Sequence, residues 1–230
     1  MAREKQSDAT KIPVSVPIDG QSLAGDLGMP VDPHGIVLFA HGSGSSRRSP
    51  RNQFVARTLE RRNLATLLID LLTPEEELVD DRTAEYRFDI PMLAGRLVTI
   101  VDWLRRRKDT SSLPIGVFGA STGGGAALIA AADRPREIAA VVSRGGRPDL
   151  AGAALRKVTT PTLLIVGGFD TPVIAMNRDA MGQMRGEVKL EIVPGATHLF
   201  EEPGTLERVA ELAGVWFEHR LQLATPGVRS

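Results

Sequence analysis

Short apolar runs alternate with longer segments of mixed polarity from residue 35 onward. The runs that we interpret as strands cover residues 36–40, 65–69, 115–118, 138–142, 162–166 and 189–193. The segments that we interpret as helices cover residues 53–62, 90–107, 123–132, 150–157, 173–184 and 206–223. Regular alternation of this kind is typical of a mainly parallel sheet with helices on both faces. The pattern therefore predicts a doubly wound α/β fold.

The polarity within each run predicts where its strand lies in the sheet. The first four runs are nearly uninterrupted in apolar character, as strands covered by helices on both faces require. The run at 189–193 alternates and is typical of an edge strand. Upstream, residues 12–18 and 22–27 flank Asp19-Gly20, a pair that favours a tight hairpin turn. We therefore expect two antiparallel strands at one edge of the sheet.

Two charged segments need their own interpretation. Residues 72–88 are acidic, lack clear periodicity and follow a strand, so we expect an exposed loop at the sheet edge that borders the active site. Residues 105–108 carry four positive charges at the end of a predicted helix. Cations there oppose the negative end of the helix dipole, which favours a solvated helix terminus over a nucleic-acid contact.

Length and composition are typical of one domain. The 230 residues are 42% hydrophobic, which is enough for a full core, and we expect a single domain at 12–223 between tails at 1–11 and 224–230. The polar amino terminus and the lack of a long apolar stretch favour a soluble, cytoplasmic protein. The chain has 28 basic and 28 acidic residues, so it lacks the positive net charge that would favour nucleic acid or an anionic membrane as a partner. Association into a homo-oligomer is left open.

The residue types argue against bound cofactors. The chain has no cysteine, which excludes disulfides, thiolate catalysis and sulfur-based zinc sites. Its four histidines are scattered singly, so none forms the pair that holds a metal on one helix face. No lysine follows Gly124 or Gly125 in the phosphate-loop pattern, and no G-x-G-x-x-G follows a predicted strand. We therefore expect neither a metal nor another cofactor.

A serine stands on a predicted turn between a strand and a helix, within Gly119-Ala-Ser-Thr-Gly123. To aim its Oγ away from the sheet, a serine on such a turn must take up a strained backbone conformation. Glycines two positions before and two positions after the serine leave the space that the turn needs. The arrangement predicts that Ser121 is a nucleophile.

A nucleophilic serine needs a base that accepts its proton and a third group that orients the base. Asp170 follows the predicted strand at 162–166, and His198 follows the strand at 189–193. Because parallel strands bring such loops to one edge of the sheet, both side chains are expected near Ser121. Asp170 is also placed to cap the following helix, and in that case Asp149 is the alternative acid.

Two backbone N–H groups are needed for the oxyanion of a tetrahedral intermediate. Thr122 directly follows the nucleophile at the start of a helix, so its N–H is the first candidate. The second candidate is the N–H of Ser43, with Gly44 next, in the glycine-rich segment that follows the strand at 36–40. His41 in the same segment is interpreted as a residue that orders the loop rather than as a base.

Four ordered motifs resemble the α/β-hydrolase superfamily: HGSG at 41–44, GASTG at 119–123, GGFD at 167–170 and GATHLF at 195–200. The set is most similar to the small dienelactone-hydrolase-like branch, some members of which are fused to phosphoribosyltransferase domains. The resemblance implies a mostly parallel twisted sheet of about eight strands, helices on both faces and no lid domain. Dienelactone hydrolases use a cysteine nucleophile, whereas this chain has Ser121, which favours general carboxylesterase chemistry.

The expected function is hydrolysis of a small carboxylic ester or lactone through an acyl-enzyme on Ser121. The alternatives are acyl transfer or perhydrolysis with the same triad, and a non-catalytic binding protein on the same fold. Arg144 and Arg147 lie in the short connection after 138–142, where a guanidinium can bind a substrate carboxylate. Pairing with the acidic 72–88 segment or with Asp149 is the other interpretation of these arginines.

Overall fold

Eight strands form one sheet at the centre of the molecule in the computed structural model, which describes residues 9–224. The strands are β1 (Thr10–Ile18), β2 (Gln21–Met29), β3 (Ile36–Ala40), β4 (Ala65–Ile69), β5 (Ile115–Ala120), β6 (Ile138–Arg144), β7 (Thr162–Gly167) and β8 (Val188–Val193). The helices are α1 (Pro50–Glu60), α2 (Pro74–Thr83), α3 (Ile90–Arg106), α4 (Thr122–Asp133), α5 (Thr171–Met181) and α6 (Thr205–Ala224). All eight predicted strands are present.

The strand order is β1-β2-β4-β3-β5-β6-β7-β8. Strands β3 to β8 are parallel to one another, while β1 pairs antiparallel with β2, and β2 pairs antiparallel with β4. The predicted hairpin is confirmed: Asp19 and Gly20 have φ of 44° and 79°, and two positive φ values fit the right-handed twist of the flanking strands. The predicted mostly parallel α/β sheet is therefore confirmed.

The core consists of two apolar layers, one on each face of the sheet. Alternate residues of a strand point to opposite faces, and in β3 Leu38 packs with the layer under α3 and α4, whereas Phe39 packs with the layer under α1 and α6. Each residue of β3 and β4 is buried, while in β8 only Val193 is buried and the other five residues are exposed or partly buried. The predicted distinction between interior strands and an edge strand at 189–193 is thus correct.

The prediction of a loop over all of residues 72–88 is wrong, because α2 forms from Pro74 to Thr83. Thr73 and Glu76 form a capping box in which each side chain accepts a hydrogen bond from the backbone N–H of the other residue. The helix then ends at Ala84, which has a left-handed conformation with φ of 58°. Only Asp80 is buried in this helix, so its sequence has almost no apolar periodicity. The capping residues, and not the hydrophobic pattern, are the feature of the sequence that indicates this helix.

The segment predicted as a helix at 150–157 is a 3₁₀ segment over Pro148–Lys157, and Gly152 breaks it with φ of 51°. Of the predicted tails, residues 1–8 and 225–230 lie outside the described residues, whereas Thr10 and Lys11 belong to β1 and Ala224 ends α6. Within the described part of the chain, no helix has the length and apolar character needed to cross a membrane.

Candidate active site

Ser121 lies on the turn between β5 and α4 with φ of 50° and ψ of −121°. A non-glycine residue rarely adopts this conformation, and it costs on the order of 1–3 kcal/mol. Its flanking glycines lie in close contact with backbone: a Cβ on Gly119 would lie 2.6 Å from the carbonyl oxygen of Gly123, and one on Gly123 would lie 2.3 Å from that of Ala40. The turn therefore requires glycine at both positions, for lack of space.

Asp170 and His198 are hydrogen-bonded to each other at the same edge of the sheet. Asp170 follows β7, His198 follows β8, and the distance from His198 Nδ1 to Asp170 Oδ2 is 2.6 Å. An ionised carboxylate only accepts hydrogen bonds, so Nδ1 carries the hydrogen and Nε2 is left as a proton acceptor. The Asp170 side chain is 13% exposed and that of His198 is 37% exposed, so the acid is less open to solvent than the base.

The end of β6 connects Ser121 to the histidine. The N–H of Ser121 donates to the carbonyl oxygen of Arg144 at 3.2 Å. The next residue, Gly145, has φ of 51°, and a Cβ there would lie 3.5 Å from the imidazole ring of His198. The nucleophile turn and the histidine loop thus lie on either side of Arg144 and Gly145.

The segment after β3 packs directly against the nucleophile turn. A Cβ on Gly42 would lie 3.1 Å from the Cβ of Ser121, and the N–H of Ser43 donates to Thr122 Oγ1 at 2.9 Å. Thr122 is the first residue of α4, where the backbone N–H has no acceptor within the helix. The two segments predicted to supply oxyanion donors are therefore adjacent, and the N–H of Ser43 is held by the Thr122 side chain.

His41 joins the end of β3 to the end of β4. Its Nε2 accepts from the N–H of Leu71 at 3.0 Å, so Nδ1 carries the hydrogen and donates to the carbonyl oxygen of Gly42 at 3.0 Å. Burial lowers the pKa of His41 from 6.5, against the opposite effects of the Gly42 hydrogen bond and the Asp70 charge. These contacts fit a loop-ordering role and leave no ring nitrogen free to act on Ser121.

The two arginines predicted near the site have different environments. Arg147 donates to both carboxylate oxygens of Asp149, at 2.9 and 2.7 Å, which is the pairing that the sequence left as an alternative. Asp149 therefore has an arginine as its partner, and Asp170 is the acid bonded to His198. Arg144, in contrast, is 7% exposed, and within residues 9–224 its Nε and Nη1 have no hydrogen-bond partner.

Sequence reasoning missed Arg87, which lines a cavity of about 230 Å³ beside the glycine-rich segment. The cavity is lined by His41, Gly42, Ser43, Gly44, Ser45, Ser46, Leu72, Glu77, Asp80, Asp81, Arg87 and Leu93. Asp80 is 3% exposed and accepts hydrogen bonds from the Nε and the backbone N–H of Arg87. Nη1 of Arg87 lies 3.6 Å from where a Cβ of Gly44 would stand. Recognition of the Thr73 capping box would have placed Asp80 on a helix and Arg87 in the turn that follows it.

Comparison with known families gives a match over residues 57–218 to the model described as the dienelactone hydrolase family. The chain belongs to the dienelactone hydrolase family. A solved dienelactone hydrolase from Anabaena variabilis is similar, with 60% sequence identity and a TM-score of 0.92, and the match covers 94% of this chain and 100% of that one. The site described above, with Ser121 on its turn, therefore lies on a dienelactone hydrolase scaffold.

Two curated relatives from Mycobacterium tuberculosis, provisionally named phosphoribosyl transferases, are 59% identical over 195 residues. The match covers 85% of this chain and 43% of each relative, so the chain spans less than half their length. Est1E from Butyrivibrio proteoclasticus, solved with ferulic acid bound, is 19% identical with a TM-score of 0.73, and the match covers 90% of this chain and 98% of that one. That similarity concerns the fold alone.

Proposed function

We propose that this protein is a serine hydrolase that cleaves small carboxylic esters or lactones. The observation that carries the proposal is the hydrogen bond between His198 and Asp170, formed at the sheet edge where Ser121 takes its strained turn conformation. Such an arrangement leaves an imidazole nitrogen free as a base and holds the ring in one tautomer. Membership of the dienelactone hydrolase family agrees with this proposal.

In the proposed reaction, Ser121 Oγ attacks the acyl carbon while Nε2 of His198 takes the hydroxyl proton. Asp170 stabilises the imidazolium that forms. The N–H of Thr122 and the N–H of Ser43 or of Gly44 stabilise the oxyanion. The C–O bond to the alcohol then breaks, and His198 returns the proton to the leaving oxygen. Water, deprotonated by the same nitrogen, then attacks the acyl carbon. The bond from that carbon to Ser121 Oγ breaks, His198 returns the proton to Oγ, and the acid leaves.

Arg87 is the proposed contact for a polar group of the substrate in the cavity beside Gly44. Asp80 holds its Nε, so the guanidinium is oriented before a substrate arrives. The cavity volume of about 230 Å³ lies below the range of roughly 300–1,000 Å³ that drug-sized ligands occupy. We therefore propose short acyl or lactone substrates rather than long-chain lipids.

Replacement of the nucleophile tests the reaction class directly. Ser121→Ala should lose more than about 10³-fold in kcat for p-nitrophenyl acetate, because no other group forms the acyl-enzyme. A fluorophosphonate probe should label the wild-type protein at Ser121 and leave the variant unlabelled, with circular dichroism showing that both are folded. Full esterase activity in the variant, or no labelling of folded wild type, would contradict the proposal.

The choice of acid can be tested with a matched pair of substitutions. Asp170→Asn should lower kcat on the order of 10⁴-fold, because the amide stabilises the wrong imidazole tautomer. Asp149→Asn removes a carboxylate that pairs with Arg147 and should change kcat less than about threefold. Steady-state kinetics on both variants measures this, and a larger loss in Asp149→Asn would reverse the assignment.

A further inference from the structure

The two edges of the sheet differ in whether a further strand can join them. At one edge, β1 contains Pro13 and Pro17, which have no N–H to donate to a neighbouring strand. At the other edge, β8 pairs only with β7 among residues 9–224, and its six residues include no proline. The unpaired backbone groups of an edge strand are a template for another strand. The β8 edge is therefore the one that a further strand can extend.

Every second residue of β8 directs its backbone N–H and C=O away from β7. The carbonyl oxygens of Glu187 and Val193 accept hydrogen bonds at 2.9 and 2.8 Å from N–H groups in and directly after β7, so the odd-numbered residues face that strand. Successive residues of a strand direct these groups to opposite sides. The even-numbered residues, whose N–H and C=O thus point outward, are Val188, Leu190 and Ile192.

The side chains beside this edge are of two kinds. Lys189 and Glu191 lie on the face covered by α6, where they border a cavity of about 290 Å³, and they form an ion pair at 2.7 Å. The Lys189 side chain is 59% exposed, so it can turn towards a partner. Ile192 on the opposite face and Val215 of α6 beside the cavity are exposed apolar residues. A partner at this edge would gain both charge contacts and apolar cover.

The two charges select one register for a second, antiparallel copy of β8. If the two strands pair about Leu190, Lys189 of each copy lies directly opposite Glu191 of the other, and opposite charges in such pairs stabilise a sheet. Pairing about Lys189 would place the two lysines opposite each other, which is destabilising. Pairing about Glu191 would oppose the two glutamates and would place Val188 opposite Pro194, which has no N–H. The register about Leu190 is therefore favoured.

We infer that this protein forms a two-fold symmetric dimer in which the β8 strands of two copies pair antiparallel about Leu190. Val188 of each copy then exchanges backbone hydrogen bonds with Ile192 of the other, and the two Leu190 residues exchange them with each other. The contact joins two eight-stranded sheets into one. It closes at two copies, because it uses the same edge of both and the β1 edge is interrupted by prolines. The inference does not depend on the proposed function.

Charge reversal tests this contact in the full chain. Sedimentation equilibrium should give twice the mass of the chain, with a dissociation constant that rises at least about tenfold in Lys189→Glu and in Glu191→Lys, because both cross-strand pairs become like-charged. The double variant Lys189→Glu with Glu191→Lys should dimerise like the wild type, since each glutamate again faces a lysine. Circular dichroism checks that every variant is folded.

A matched control separates the contact from a general effect of net charge. Lys108→Glu makes the same change of charge at an exposed residue in the turn after α3, and it should keep the wild-type dissociation constant. A wild-type chain that stays monomeric would overturn the inference. A dimer that Lys189→Glu leaves intact, or one that the double variant fails to restore, would show that the copies do not meet in this register and would also overturn it.

A single introduced cysteine reads out the register, because the chain has none of its own. In the proposed dimer the two Leu190 Cα atoms lie about 5.5 Å apart, which is within reach of a disulfide. The two Lys189 Cα atoms are diagonal neighbours at about 7–8 Å, beyond that reach. On mild oxidation, Leu190→Cys should form a covalent dimer at least about tenfold faster than Lys189→Cys. Faster crosslinking of Lys189→Cys would contradict the register, and if Leu190→Cys does not fold, the charge-reversal series decides.

Discussion

At the scale of single residues, the nucleophile turn shows how backbone space limits side-chain choice. The strain at Ser121 persists because α4, β5 and the end of β3 approach one another so closely that Gly119 and Gly123 lie against backbone carbonyls. A strained residue is retained only where its surroundings hold it in place. The spacing of the two glycines was visible in the sequence, whereas the carbonyl oxygen of Ala40 that Gly123 lies against belongs to the distant strand β3.

A glycine-to-alanine pair tests this argument. Gly123→Ala places a Cβ 2.3 Å from the carbonyl oxygen of Ala40, so the backbone must shift, and we expect a loss of about 3 kcal/mol or more in the free energy of unfolding. Gly95→Ala is the control, because nothing lies within 4 Å of its added Cβ on helix α3. It should gain about 0.5–1 kcal/mol from helix propensity. Urea unfolding measures both, and equal effects of the two substitutions would contradict the argument.

The charged residues near the site show which side-chain contacts the sequence does not predict. Motif order placed Asp170 and His198 in neighbouring loops, and the two side chains are hydrogen-bonded. The same sequence left open whether Arg144 and Arg147 have acidic partners. Arg147 does, whereas Arg144 is buried, and two of its nitrogens have no hydrogen-bond partner among residues 9–224. Side-chain pairing depends on the packing of segments that are distant along the chain, and local patterns carry little information about it.

At the scale of elements, the loops that surround the site are held by hydrogen bonds between them. His41 ties the segment after β3 to Leu71 at the end of β4, and α2 follows directly with Thr73 as its cap. The strands were predictable because their apolar runs are long and buried. Helix α2 was not recognised because it is polar over most of its surface, so its formation depends on its cap and on contacts of Asp80 with Arg87.

The pH dependence of stability should report on the His41 contact. Burial lowers the folded-state pKa of His41 below 6.5, so the unfolded chain binds a proton more readily than the folded chain does. The stability that the neutral imidazole contributes is therefore complete above pH 6.5 and is lost as the pH falls below that value. His41→Gln can accept the Leu71 hydrogen bond without titrating. It should therefore show a smaller loss of unfolding free energy between pH 7.5 and pH 5 than the wild type.

The control for this measurement is His219→Gln, which changes an exposed histidine and should keep the wild-type pH dependence. Urea unfolding at the two pH values gives the comparison. An unchanged pH dependence in His41→Gln would show that the imidazole contact does not contribute to stability.

At the scale of the whole molecule, one sheet separates two apolar layers that share every central strand. Trp103 packs against the layer under α3, and Trp216 lies in the layer under α6. Because alternate residues of β3 and β5 belong to different layers, neither layer can lose its strands without exposing the other. We therefore expect the domain to unfold as a cooperative unit.

Two tryptophan reporters test the cooperativity. The chain has two tryptophans, so Trp103→Phe leaves the reporter on one face and Trp216→Phe leaves the reporter on the other. In each variant, fluorescence and far-ultraviolet circular dichroism should give the same urea midpoint. A fluorescence midpoint that differs from the circular dichroism midpoint in either variant would indicate that the layers unfold separately.

Local patterns in the chain were sufficient for the strand positions, the hairpin, the α/β class and the order of the chemical motifs, because periodicity and turn chemistry act between neighbours in sequence. Four features required the folded chain: the order β2-β4-β3-β5, the association of Asp170 rather than Asp149 with His198, the position of Asp80 and Arg87 beside the cavity, and the lack of partners for two Arg144 nitrogens among the described residues. These features depend on which distant segments meet, and that is set by the packing of both layers on one sheet.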